Sequence, residues 1–159
     1  MSAIISECGR YRYVLRRKIP SIVRWVRPIL FVMLNPSTAD AELDDPTIRR
    51  CKAFAERDGF TQLTVVNLFA LRATDPAGLK IDHDPIGPEN DRYLQEEILA
   101  HGSTGLVVAA WGAHPFATER AKHVLRMGVF DCLGKTKAGF PRHPLYIRSD
   151  QPFVTMEAP

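Results

Sequence analysis

The sequence lacks most of the signatures from which an activity is read directly. It has no Walker A loop, no Gly-x-Gly-x-x-Gly turn and no Gly-x-Ser-x-Gly elbow. The commonest nucleotide-hydrolysing, dinucleotide-binding and serine-hydrolase readings are thereby removed. The three cysteines, Cys8, Cys51 and Cys132, form no Cys-x-x-Cys pair. That spacing argues against a zinc site or a disulfide framework and suits a reducing, cytoplasmic compartment. His83, His101, His114 and His123 show no metal-ligand spacing and read as structural. The apolar run at residues 29–34 is far shorter than the ~20 residues that span a bilayer, so no membrane partner is expected. Glu7, Arg10 and Arg12 stand where a signal peptide would need its apolar region.

Charge of one sign is scarce overall but uneven along the chain. The formal net charge of +3 implies no polyanion partner. Arg10, Arg12, Arg16, Arg17, Lys18, Arg24 and Arg27 nevertheless crowd the N-terminal stretch. They read either as a face that attracts phosphates or as a solvated outer strand whose charge discourages aggregation. Tyr11, Tyr13 and Leu15 alternate with Arg12, Val14 and Arg16, which fits a strand or hairpin within residues 1–27 packing on the core.

What is present is an ordinary globular composition, 45% apolar and 25% charged, and the 159 residues fit one domain spanning 1–159. Apolar runs at 29–34, 63–66, 106–110 and 129–133 read as strands buried on both faces. Between them lie helical patterns opening at Asp45-Pro46, at Gly87-Pro88 and near Pro115. Strands alternating with helices predict an α/β fold: a three-layer α/β/α sandwich around a mostly parallel four-stranded sheet. Ligands of such sheets bind beyond the carboxyl ends of the strands. The unusual residues stand there: Asn35-Pro36-Ser37-Thr38, Asn67, Trp111-Gly112 and Arg142-His143-Pro144. The long stretch at 68–85 reads as a functional loop.

Each of these carries two readings. Pro36 stiffens its turn and holds Asn35 extended, while Ser37 and Thr38 either donate to a ligand or complete a plain turn. Asp40, Glu42, Asp44 and Asp45 either bind a metal or orient a water, or form a solvated loop in which Asp45 caps the helix. Asn67 offers a donor and an acceptor, enough for one edge of a nucleobase, or it closes a loop. His143 either stabilises negative charge or is inert.

The stretch at 31–40, with Asp45-Pro46-Thr47, Asn67-Leu68-Phe69, Pro88-Glu89-Asn90-Asp91 and Trp111-Gly112, resembles the uncharacterised DUF1643 family over most of the chain. In their order, Asn35-Pro36, Asn67, Trp111-Gly112 and His143-Pro144 also resemble, more distantly, the uracil-DNA glycosylase superfamily. Met33 stands where that superfamily usually has Gly, and residues 143–146 read His-Pro-Leu-Tyr where it has His-Pro-Ser. The resemblance implies a uracil-DNA-glycosylase-like fold and a hydrolase of the N-glycosidic bond of a base in DNA or in a nucleotide. Asn67 would read the base edge, among substrate contacts that include Phe69, Trp111 and Gly112. Asn35, lacking a carboxylate, would position water with help from Asp40 or Asp44, and His143 would stabilise the departing base. Lys135, Lys137 and Arg142 would hold phosphates. No metal or organic cofactor is implied. The alternative is a protein of the same fold that binds nucleic acid or nucleotide without chemistry.

Overall fold

A computed structural model of the protein describes residues 1–22, 25–37 and 42–157. Seven strands form one sheet in the order β1-β2-β4-β3-β5-β6-β7. The strands are β1 (Ser2–Ile5), β2 (Arg12–Lys18), β3 (Pro28–Met33), β4 (Gln62–Asn67), β5 (Leu106–Ala109), β6 (Asp131–Cys132) and β7 (Val154–Thr155). The helices are α1 (Pro46–Arg57), α2 (Gly78–Ile81), α3 (Asn90–Thr104) and α4 (Thr118–Leu125). The fold is therefore mixed α/β, and its sheet is larger than the apolar runs imply. The runs became β3 to β6, which pair in parallel. The other three pairings, β1–β2, β2–β4 and β6–β7, are antiparallel. A four-stranded, mostly parallel sheet is thus corrected to a mixed, seven-stranded one. The additions are two short edge strands, β1 and β7, and the arginine-rich β2 between β1 and β4; none carries a continuous apolar run.

Pleating divides the core. Leu30, Val32, Val66, Val107 and Ala109 pack against Leu94 and Ile98 of α3 and Ala121 and Val124 of α4. Ile29, Phe31, Met33, Leu63 and Val65 pack on the opposite face, against Ile48, Cys51, Phe54 and Ala55 of α1. Helix α1 begins as its sequence dictates: Asp45 Oδ1 accepts from the Ile48 amide at 2.8 Å, and Pro46 occupies the first turn. Helix α3 runs through Gly102 to Thr104, where Ser103 and Thr104 hydroxyls donate to the Ala100 carbonyl at 3.0 Å. The chain passes from β3 to β4 on one side, then crosses back to β5 on the other. The sheet therefore has a switch point between the carboxyl ends of β3 and β5, where α/β sheets open a crevice.

The N-terminal arginines are drawn into this framework. Arg10 pairs with Asp82 at 2.9 Å, Arg16 pairs with Glu97 of α3, and Arg17 pairs with Asp44 at 2.6 Å. Arg12 and Arg17 are each only 2% exposed. Neither an open phosphate face nor a simply solvated edge describes them; Arg24 lies outside the described residues. A β-bulge explains Arg12. The β1–β2 register steps from Ile4↔Val14 to Ile5↔Arg12, leaving Tyr13 as the extra residue. Tyr13 joins Val14 on the α3 face, stacking on Tyr93 at 5.0 Å, and alternation resumes one residue out of step. Arg12 consequently emerges on the α1 side, although alternation in the sequence pairs it with Val14 and Arg16.

Candidate functional site

A cavity of about 600 Å³ opens at the carboxyl edge of the sheet, on the α1 side of the switch point. That volume lies within the usual range for small-molecule sites, roughly 300–1,000 Å³. Its floor is Met33, Val65, Ile48, Arg12 and Asn67, and its walls include Asn35, Ser37, Asp45, Thr74, His114, Thr136, Arg142, His143 and Tyr146. Among the described residues, no helix is long and apolar enough to cross a membrane. No group of three or more His, Cys, Asp or Glu among them could hold a metal ion.

Asn67 is the last residue of β4, directly opposite Met33 of β3. It is 1% exposed, and neither Oδ1 nor Nδ2 has a hydrogen-bond partner among the described residues. A buried amide left in that state costs about 1–3 kcal/mol. Its backbone, by contrast, is held firmly. Asn90 Nδ2, at the start of α3, donates to the Asn67 and Leu68 carbonyls at 3.1 Å each, and Arg120 Nε of α4 donates to Leu68 O at 2.8 Å. Two buried polar side chains thus fix the strand end while its own amide faces the cavity.

Asn35 ties the exit of β3 to the long loop. Its Nδ2 donates to the carbonyls of Ala73 at 2.7 Å and Pro36 at 3.0 Å, and the Ala73 amide donates to Pro36 O at 3.0 Å. With Nδ2 engaged, Oδ1 is the group left to accept. Pro36 is buried in this junction and does not line the cavity, whereas Ser37 does. Thr38 and Asp40 lie outside the described residues.

His143 is presented by a segment anchored to α1. Arg50 donates to the Pro144 carbonyl at 3.3 Å, to the Ile147 carbonyl and to Ser149 Oγ at 3.0 Å. The Leu145 amide donates to His143 Nδ1 at 3.3 Å, so the neutral ring carries its proton on Nε2. Burial lowers the pKa of His143, nearby His114 lowers it further, and Asp45 partly opposes them. Burial, then Lys80, lowers that of His114 as well. The two histidines approach over Gly112, whose φ is +81°; a Cβ there would lie 3.4 Å from His143 Cβ and 3.5 Å from His114 Nε2. The site accordingly holds two imidazoles biased towards the neutral form.

Other expected residues fall elsewhere. Asp44 is outside the cavity, between Arg17 at 2.6 Å and Lys52 at 3.0 Å; burial opposes its ionisation, but these two cations hold its pKa below the usual value. Trp111 is 2% exposed, packs edge-to-face on Phe130 and borders a second, smaller cleft of about 250 Å³ with Lys135. Phe69 is buried and stacks on Phe116, away from the cavity wall. Arg142 and Gly112 do line the cavity. The sequence reading missed Arg12, Thr136 and Tyr146. It took His114 as structural, assigned no role to Asn90 and left Asp45 between a helix cap and one of four carboxylates that bind a metal or orient a water. Asp45 is both cap and wall, because α1 starts at the cavity rim. No local pattern could have found Arg12, whose orientation comes from the bulge.

A family profile described as "Protein of unknown function (DUF1643)" matches residues 12–145. The chain belongs to the DUF1643 family. The matched span includes β2 to β6 and every cavity residue except Tyr146. Comparison with curated proteins and with solved structures returns no match.

Proposed function

We propose that this DUF1643 protein is a nucleobase-directed hydrolase of uracil-DNA-glycosylase-like type, acting on the N-glycosidic bond of a base in DNA or in a nucleotide. The observation that carries this reading is the buried, unpartnered carboxamide of Asn67 in a cavity at the strand ends. A base edge offering one donor and one acceptor satisfies both of its polar atoms at once. The cavity size, the parallel order β4-β3-β5-β6 and the resemblance carried by Asn35-Pro36, Asn67 and His143-Pro144 also support it.

In this reading Asn35 Oδ1 holds a water near the anomeric carbon, with Asp45 the cavity carboxylate available to take its proton. The water oxygen bonds to that carbon as the carbon–nitrogen bond breaks. The bonding pair leaves with the base, whose charge is stabilised by the Nε2–H of neutral His143 before it is protonated. Arg142 attracts the phosphate. The test is release of free base from deaminated DNA and from nucleotides. Asn67→Ala, Asn35→Ala and His143→Ala are each expected to lower release at least tenfold. Release unchanged in both the Asn35 and His143 variants overturns the assignment.

A second reading is favoured by one specific observation. Asn35 has no carboxylate, its amide nitrogen is engaged by backbone carbonyls, and Asp44 is held by two cations. A protein that binds nucleotide or nucleic acid without cleaving it predicts saturable, salt-dependent binding and no product.

A further inference from the structure

The cavity is larger than a single base requires, and the cations that would hold DNA are committed elsewhere. One base leaves most of about 600 Å³ empty, whereas a base with its sugar and phosphate suits a site of that size. A protein that extrudes a base from DNA holds the flanking phosphates with a face of open lysines and arginines. Of the N-terminal arginines, Arg10, Arg16 and Arg17 are paired with carboxylates. Arg27 lies 4.8 Å over the Phe60 ring and donates to the Asp58 carbonyl at 3.0 Å. The cavity has a cation of its own: Arg142 is exposed on its wall, with no ion pair among the described residues. Half-buried His114 lines the same cavity. Lys80 stands near it, its Nζ 5.1 Å over the Phe116 ring, whose centroid is 5.7 Å from that of His114.

We infer that the cavity takes a free nucleotide bearing a phosphate monoester, rather than a base extruded from DNA, with Arg142 and His114 holding the phosphate; this rests on the nucleobase reading above. The base enters first. Asn67 is buried on the floor and reads its edge, while Arg142 stands at the exposed rim. That order follows a nucleotide from base to phosphate. The planar fork of Arg142 takes two phosphate oxygens. A neutral His114 donates one N–H to another. Lys80 adds attraction at longer range. His143 keeps its Nε2–H for the departing base. Asp45, the carboxylate that opposes an anion, acts on His143 and is not among the charges that shift His114.

The experiment is calorimetric binding to the full chain of the 5′-monophosphates of adenosine, guanosine, cytidine and uridine, each beside its nucleoside. A short DNA containing uracil or hypoxanthine, with and without a terminal phosphate, is measured alongside. The tightest-binding nucleotide is expected to exceed its nucleoside about tenfold or more, and to exceed both forms of the DNA. Arg142→Gln and His114→Gln are each expected to bring that nucleotide within about threefold of its nucleoside. A nucleotide binding no more tightly than its nucleoside, DNA binding as tightly as the nucleotide, or a ratio unchanged in either variant overturns the inference. If a variant does not fold, the wild-type ratios alone decide. Base release from DNA and not from nucleotides sinks this inference and keeps the hydrolase reading; nucleotide preference without release does the reverse.

Discussion

Two asparagines are buried near the end of β4, on opposite faces of the sheet, and they are used differently. Asn90, on the α3 side, is 0% exposed, and its Nδ2 holds two backbone carbonyls. Asn67, on the α1 side, is 1% exposed, and its carboxamide has no hydrogen-bond partner among the described residues. The surroundings differ in the same sense. The α3 and α4 face is filled to the sheet edge by Leu68, Phe69 and Trp111, whereas the α1 face opens into the cavity because α1 begins at its rim. Burial alone therefore does not distinguish a structural polar group from a binding one. What distinguishes them is that the backbone uses the Asn90 amide nitrogen, its Oδ1 alone lacking a partner, whereas neither polar atom of the Asn67 side chain has a partner among the described residues.

The comparison can be broken by mutation. The largest effect is expected at Arg17, whose buried guanidinium faces Asp44. Arg17→Met should lower unfolding free energy by about 3 kcal/mol, read from denaturant midpoints. Asn90→Ala should cost about 2 kcal/mol, since two backbone carbonyls lose their donor. Asn67→Ala should leave stability unchanged or raise it, by up to about 1–3 kcal/mol, because it removes no hydrogen bond among the described residues and relieves an unsatisfied buried amide, while base release or nucleoside binding falls at least tenfold. Equal destabilisation by the two alanine variants would erase the distinction between these asparagines.

Smaller effects sharpen the same contrast. Gly112→Ala forces a side chain into a left-handed conformation and should cost about 1–2 kcal/mol, with a disproportionate loss of activity through the neighbouring histidines. The smallest effect is a pH dependence. Folded His143 resists protonation more than an unfolded histidine with an ordinary value near 6.5. Below that value the unfolded chain binds more protons, so stability is lost as pH falls from about 6.5 through the lowered folded value. The acid loss should diminish in His143→Gln. An unchanged profile in that variant would remove the burial argument for the neutral imidazole.

Much of the framework was legible because local chemistry dictated it. Continuous apolar runs located β3, β4 and β5, and Asp45-Pro46 located the start of α1. Asn67 stood out as a polar residue closing an apolar strand, and the cavity lies at that strand end. The remainder depended on long-range geometry. β6 kept only two residues of its apolar run, and β7 is a two-residue exposed strand with no apolar signal. Trp111 and Phe69 occupy the strand ends but turn to the filled face. Arg12 was hidden most completely, since its face depends on one extra residue opposite a partner strand. Pleat parity read along the sequence fails at such a point.

That bulge has a practical consequence at the chain's beginning. β1 lines no part of the cavity, yet the irregular register of Ile4 and Ile5 accompanies the turn of Arg12 towards it. Residues 2–5 pair along β2 through that irregular register, so this edge strand is expected to act as a splint for the cavity-lining end of β2. A purification tag or a trimmed start that loosens this brace should blur ligand choice before it lowers the melting temperature. Preparations differing only at their N-termini would then disagree about what the protein prefers while agreeing that it is folded.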